Sequence, residues 1–192
     1  MLRIFCDLDG VLVKFDQGAI DTHRQHGYVP ENYSPKSWDF FEDWGITSTE
    51  FWQVIDKDPY FWHNLKPYDH NEELLDLIKG YDSNFKILTS PHDHEYCYAG
   101  KFTWMKHHLN INVPKRAIIH SEKFECCCSE YDILIDDNEE NCELWNEVGG
   151  QSILFPAKWN HNRDIEDKVL YVNMCLANAQ KVCEGVVIWK NS

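Results

Sequence analysis

The chain has 192 residues, a formal charge of −14 at pH 7, 43% hydrophobic and 14% aromatic residues, and eight Trp. That length supports one well-buried main domain with room for a small subdomain, and the aromatic content is that of a folded chain rather than a disordered one. The acidic balance excludes duplex or long single-stranded nucleic acid as a partner, since such binding needs a basic track to displace counterions, but leaves small anions open if a metal supplies positive charge.

The first element in chain order is an apolar strand, Leu2 to Cys6, which runs straight into Asp7-Leu8-Asp9-Gly10-Val11-Leu12. Two carboxylates one residue apart at the end of a buried strand resist ionisation together unless a cation or proton separates them. Residues 14 to 68 are rich in aromatics and carry only helical patterns, with Thr47 a plausible N-cap for a helix through Phe51 to Ile55. A helix over Glu72 to Lys79 follows, with Leu74, Leu75, Leu77 and Ile78 as its buried face and Gly80 as its expected stop. The strand Phe85 to Leu88 then leads to Thr89 and Ser90, and a helix is predicted over Tyr98 to Leu109. Ala117 to His120 reads as a strand, and Ile133 to Ile135 reads as another that ends in Asp136-Asp137. A helix over Asn141 to Val148 stops at Gly149-Gly150, and Ser152 to Phe155 and Val186 to Trp189 are the last expected strands.

Continuously apolar strands alternating with helices imply an α/β fold, a Rossmann-like parallel sheet covered by helices on both faces. Residues 1–13 and 69–192 form the expected core, and 14–68 a helical cap inserted after the first strand. In such sheets the ligand crevice lies at the carboxyl ends of the strands. Both acidic pairs are predicted there, which points to one acidic metal pocket.

The eight cysteines, Cys6, Cys97, Cys126, Cys127, Cys128, Cys142, Cys175 and Cys183, contain no CxxC pair. Adjacent residues such as Cys126 to Cys128 do not easily turn their sulfurs onto one tetrahedral centre, so reduced thiols are expected rather than zinc or disulfides. His92, His94 and Cys97 are read as a polar loop beside a strand rather than a metal cluster. An apolar run starting at Leu2 leaves no room for a signal segment, and no run reaches membrane-spanning length. A soluble cytoplasmic protein with no membrane partner is expected.

Asp7 with Asp9, Thr89 with Ser90, a lysine, and Asp136 with Asp137 occur in that order at strand ends. A carboxylate nucleophile, a second carboxylate, a hydroxyl, an ammonium and an acidic pair are the parts needed to move a phosphoryl group through an aspartyl phosphate. The pattern resembles the haloacid dehalogenase superfamily. Response-regulator receivers use similar groups but place their acidic pair first.

Within that superfamily the chain resembles the 5′(3′)-deoxyribonucleotidase family. The stretches that carry the likeness are Asp7 to Leu12 with Phe15, Pro59-Tyr60-Phe61-Trp62 leading to Leu65-Lys66-Pro67, Leu88-Thr89-Ser90-Pro91, Gly100-Lys101-Phe102-Thr103-Trp104, and Leu134 to Asp137. The resemblance implies that Asp7 attacks phosphorus and that Asp9 protonates the leaving oxygen and later activates water, for which it must carry a proton near neutral pH. It implies that Thr89 donates to a phosphoryl oxygen and that Lys123 neutralises charge, with Lys101 the second choice for the motif lysine. Magnesium (Mg2+) would be held by Asp7, the carbonyl of Asp9, and one or both of Asp136 and Asp137. Phe15 and Trp62 match base-contacting positions, with Trp38, Phe40 and Phe41 less closely matched, and Ser90 joins them as a substrate-binding residue. For any one of these rings, packing in the cap core is the competing reading.

Two positions depart from the family pattern. His92 and Asp93 stand where a lysine is common, and Asn138 stands where a basic residue follows the acidic pair. Both remove positive charge from near the phosphate, and Arg116, Lys158 and Arg163 are candidates to replace it. The expected substrate is a small phosphomonoester, favoured as a deoxyribonucleoside monophosphate. A sugar-phosphate phosphatase of the same fold and an inactive binding module are the alternatives, and a homodimer is left open.

Overall fold

Five short apolar runs become parallel strands in the computed structural model, which describes residues 1–185. They are β1 (Arg3–Cys6), β2 (Lys86–Thr89), β3 (Ala117–Ile119), β4 (Asp132–Asp136) and β5 (Gln151–Leu154), in the spatial order β3-β2-β1-β4-β5. The expected strand over Val186 to Trp189 lies outside the described residues. The helices are α1 (Phe15–Gln25), α2 (Ser48–Ile55), α3 (Phe61–Asn64), α4 (Asn71–Tyr81), α5 (Glu95–His108), α6 (Val113–Arg116), α7 (Glu139–Glu147) and α8 (Lys168–Cys183), with 3-10 turns at Phe40–Trp44 and Lys123–Cys126.

Alternation along the strands divides the core in two. Ile4, Cys6, Ile87, Ile133 and Ile135 join a large cluster with Leu74 and Ile78 of α4, Trp104 and Met105 of α5, and Val172 and Leu176 of α8. Phe5, Leu88 and Leu134 point the other way and meet Trp145 of α7, whose ring stands edge-on to Phe5 at 5.1 Å. The sheet is thus covered on both faces, as its apolar strands require.

Local signals explain most element ends. Thr47 caps α2 in a reciprocal capping box with Glu50, and α7 stops before Gly149, which takes a φ of 96°. Gly80 does not stop its helix: α4 runs through it to Tyr81. The buried Asp82 that follows accepts the backbone N–H of Ile4, at 2.9 Å, and of Asn84, at 2.7 Å. Satisfying those two donors fixes the exit at Asp82. Helix α8 has no counterpart among the sequence expectations, because Leu170 and Met174, 52% and 60% exposed, blur its buried stripe of Val169, Val172, Leu176 and Ala179.

The segment between Lys14 and Tyr68 leaves and returns at one stitch. Val13 bridges Pro67 in antiparallel fashion, Lys14 N–H donates to the Lys66 carbonyl at 2.9 Å, and Tyr68 N–H to the Leu12 carbonyl at 3.0 Å. Its rings Phe40, Trp44 and Phe51 are continuous with the main core.

Candidate active site

The register of the sheet sets the site. Cys6 pairs with Ile135 on one side and Ile87 on the other, so the next residues, Asp7 and Asp136, emerge level with each other at adjacent strand ends, and Thr89 emerges one residue beyond Asp7's level on β2. Asp7 N–H donates to the Ile135 carbonyl at 2.8 Å, which locks the alignment. Asp7, Asp136 and Asp137 are buried and each offers an oxygen within 4.8 Å of the others. The carboxylate of Asp9 is outside that trio.

Two buried lysines divide the acids between them. Lys123, in the 3-10 turn after β3, places Nζ 2.7 Å from Asp7 Oδ1 and 2.6 Å from Asp136 Oδ2. Lys101, from α5, donates to Asp9 Oδ2, to Thr89 Oγ1 at 2.9 Å and to the Ser90 carbonyl. Each is only 2% to 3% exposed, and both of the lysines weighed from sequence are therefore in the site. Lys101 sits among Cys97, Gly100, Trp104 and Met105 on the buried face of α5. A lysine inside an apolar helical stripe is the sequence signal that singles it out.

Four carboxylates against two ammonium groups leave the pocket negative. Burial raises the Asp7 carboxyl to about 7, against the opposing pull of Lys123, with Asp136 and Asp9 adding to the rise. Burial also pushes Asp137 well above the usual carboxylate range, reinforced by Asp136 and Asp7. Burial works against the Lys123 ammonium, but Asp136 and Asp7 outweigh it and hold it above its ordinary value.

The DD pair is held by Asn138 and by two neighbours that sequence reasoning did not single out, Asn141 and Trp159. Asp136 accepts the N–H of Asn138 at 2.9 Å and the side-chain amide of Asn141 at 3.3 Å, besides Lys123. Asp137 Oδ2 accepts the Trp159 indole N–H at 2.8 Å, whereas Asp137 Oδ1 and Asp9 Oδ1 are buried with no hydrogen-bond partner among the described residues. Gly10 makes the room: its φ is +79°, and a Cβ there would lie 2.2 Å from Asp137 Oδ2. A buried acidic trio with an orphaned oxygen fits a hard divalent cation, which prefers carboxylate ligands.

The acids open into a cavity of about 380 Å³ walled by Phe15, Trp38, Phe40, Phe41, Trp52 and Trp62, with Ser90 and His92 on the side of β2. Phe15 and Trp62 are buried and stacked on each other, centroids 5.4 Å apart, and Trp52 lies parallel to Trp62 at 6.3 Å. Trp38, 37% exposed, has the freest ring of the wall. His92 stacks on Trp52 at 4.0 Å and meets Asp56 at 3.2 Å, while Cys97 Sγ accepts its backbone N–H. That is the polar loop expected rather than a metal cluster. Among the described residues the cysteines are all free.

The three candidates for replacing lost positive charge stand elsewhere. Arg116 donates to Phe85 and Asn84, at the start of β2 and so at the opposite end of the sheet, and neither Lys158 nor Arg163 lines the pocket. Asn138 instead caps α7, accepting the N–H of Asn141 at 3.0 Å.

A model of the family described as 5′ nucleotidase, deoxy (pyrimidine), cytosolic type C protein matches residues 1–182. The chain is 26% identical over 180 residues to the human cytosolic-type 5′(3′)-deoxyribonucleotidase, spanning 85% of this chain and 83% of that protein. It is 28% identical over 140 residues to a Bordetella pertussis protein assigned by name as a 5′(3′)-deoxyribonucleotidase, spanning 71% of this chain and 74% of that one. Among solved structures, a haloacid dehalogenase family hydrolase from Deinococcus radiodurans superposes with a TM-score of 0.60 at 12% identity, over 93% of this chain and 96% of the other. A haloacid dehalogenase-like hydrolase from Streptococcus pneumoniae gives 0.59 at 15% identity, over 91% and 98%. These two likenesses establish the fold. With the family match spanning nearly the whole chain, the protein belongs to the cytosolic type C deoxy-5′-nucleotidase family and is a phosphoric monoester hydrolase with a haloacid dehalogenase-like fold.

Proposed function

We propose that the chain hydrolyses nucleoside monophosphates, deoxyribonucleotides preferred, by passing the phosphoryl group through Asp7 with magnesium bound. The observation that carries this reading is the level alignment of Asp7 and Asp136 beside Lys123, at the base of an aromatic cavity. The names of the human and Bordetella relatives support the choice of substrate. Residues 14–68 act as the cap that closes over the substrate, and the free thiols and the cytosolic human relative support a cytoplasmic setting.

An Asp7 oxygen attacks phosphorus in line, and the P–O bond to the sugar breaks as the new one forms. Asp9 gives its proton to the departing sugar oxygen, so that a neutral nucleoside leaves. Its Oδ1, which has no hydrogen-bond partner among the described residues, is the oxygen left free for that exchange. Lys101 fixes Asp9 by its other oxygen and at the same time donates to Thr89 Oγ1, which leaves the Thr89 hydroxyl proton free for a phosphoryl oxygen. Lys123 neutralises the charge shared by Asp7 and the phosphoryl group. In the second half Asp9 takes a proton from water, which attacks phosphorus and frees Asp7 and inorganic phosphate. Asp7, Asp136 and Asp137 would hold magnesium, with the Asp9 carbonyl, and the ion when bound supplies positive charge to the phosphoryl oxygens. Trp38, Phe41 and Ser90 contact the nucleoside, over a floor formed by Phe15 and Trp62.

Phosphate release measured over nucleotides and sugar phosphates, with and without magnesium, tests the reading. Asp7→Asn is expected to abolish turnover, and Asp9→Asn to lower it by about 10² to 10⁴. Equal release by wild type and both variants would end the assignment.

A further inference from the structure

Trp159 has a second face. While its indole N–H holds Asp137, the residue lines a separate cavity of about 390 Å³ that also contains Lys14, Lys66, Lys158 and Lys168. In a chain of formal charge −14 with only 18 lysines and arginines, a small cavity lined by four lysines runs against the average field, and the ammonium groups of Lys14 and Lys168 both lie over its Tyr68 ring, at 5.6 and 5.7 Å. Lys14 has the exposed Asp69 at 3.0 Å, and the other three have no carboxylate within ion-pair distance among the described residues. The cavity's own acid, Asp16, is buried and accepts the Tyr68 hydroxyl at 3.1 Å.

Lys168 is the informative member. It is half-buried, its ammonium lies over the rings of Tyr68 at 5.7 Å and Phe155 at 5.4 Å, and it is the first residue of the 16-residue α8. Burial lowers its pKa against the opposing pull of Asp16 and Asp137, and the ammonium of Lys158 adds a smaller push in the same direction as burial. A cation at the positive end of a helix is repelled by the helix dipole as well. Burial, a like charge and the helix oppose the Lys168 ammonium while Asp16, Asp137 and the two rings favour it, and an anion in the cavity adds to the favourable side.

We propose that this cavity is a second anion site, which takes a small oligophosphate, either a free inorganic chain or the phosphate tail of a nucleoside triphosphate. Three lining lysines with no carboxylate at ion-pair distance among the described residues call for a multiply charged ligand rather than a single phosphate, and the cavity is as large as the one beside Asp7. The inference does not depend on the phosphatase reading.

Isothermal titration calorimetry on the full chain tests it, with chelator present and no divalent cation so that the acidic active site repels anions. The probes are sodium tripolyphosphate and, in a parallel arm, a nucleoside triphosphate. One site is expected, weakening as salt is raised, with affinity down at least about tenfold in Lys158→Gln/Lys168→Gln and unchanged in the exposed pair Lys106→Gln/Lys181→Gln. The exposed pair Lys66→Gln/Lys158→Gln gives the same loss without touching α8. Tighter binding of the nucleotide identifies the nucleoside triphosphate as the source, and equal binding identifies the phosphate chain alone. No heat with either probe, or equal affinity in wild type and both lysine-cavity variants, overturns the proposal.

Discussion

The ammonium of Lys101 rests on the carboxylate of Asp9, a residue 92 positions earlier in the chain, and on the hydroxyl of Thr89. One side chain from the middle of α5 thereby ties the second acid of the DxD motif to the end of β2. Removing it in Lys101→Met is expected to lower kcat by about 10²-fold or more, the scale of a lost transition-state contact. KM is expected to change less. The substitution also leaves the Asp9 carboxylate without its counter-charge in an acidic pocket, so Tm is expected to fall. A kcat within threefold of wild type, measured under saturating substrate, would return Lys101 to a purely structural part.

Trp159 acts on the other side of the acids. Trp159→Phe keeps an aromatic ring, though a smaller one, and deletes the N–H that holds Asp137 Oδ2. Such outer contacts to metal-binding groups are typically worth 10- to 100-fold in affinity. Calorimetric titration of magnesium should therefore show weakening of about that size, read without reference to turnover. Unchanged magnesium affinity would leave Trp159 as a wall residue.

Stability and pH are linked through Asp7. A carboxyl raised on folding from 3.8 to about 7 contributes stability that is complete below its unfolded value and is lost as pH climbs through the folded one. Asp137 is shifted in the same direction. The metal-free protein should thus lose Tm between about pH 4 and pH 7, and magnesium, which binds the ionised acids, should raise Tm more at about pH 8 than at about pH 5. Differential scanning calorimetry at the two pH values checks this. An equal rise at both would mean that the ion does not bind at these carboxylates.

Trp38 is the ring with most free surface in the cavity. Stacking a base on it would contribute about 1 to 3 kcal/mol. Trp38→Ala should then raise KM for nucleotides while leaving KM for a small generic phosphate ester nearly constant. The same substitution at Trp62 should instead lower Tm, because that ring is packed between Phe15 and Trp52. Parallel increases for both esters in Trp38→Ala would remove it from base recognition.

Much of this was written in local signals. Apolar runs ending in Asp7, Thr89 and Asp136 announced strand ends, and Thr47 announced its helix. The signals failed where tertiary partners decide the outcome. Gly80 looked like a stop because glycine favours helix ends, yet the donors of Ile4 and Asn84 moved the exit to Asp82. Lys123 was reached through the family resemblance rather than a local signal, since only the fold brings Asp7 and Asp136 to it. Trp159 carries no pattern at all, since its partner Asp137 is 22 residues away and joined to it only by the return of β5. Arg116 failed for the complementary reason, that charge alone says nothing about which end of a sheet a residue occupies, while Lys158 and Arg163 follow β5 at the carboxyl end without lining the pocket.

The strand order also dictates when the catalytic centre is born. β1 is the middle strand, and its neighbours are made some eighty and one hundred and thirty residues later, as the pairings Cys6 with Ile87 and Cys6 with Ile135 require. During synthesis the first aspartate therefore waits, its strand half-flanked, until the ribosome has released β4. A chain truncated anywhere before Asp136 would carry an intact DxD motif and no pocket to put it in.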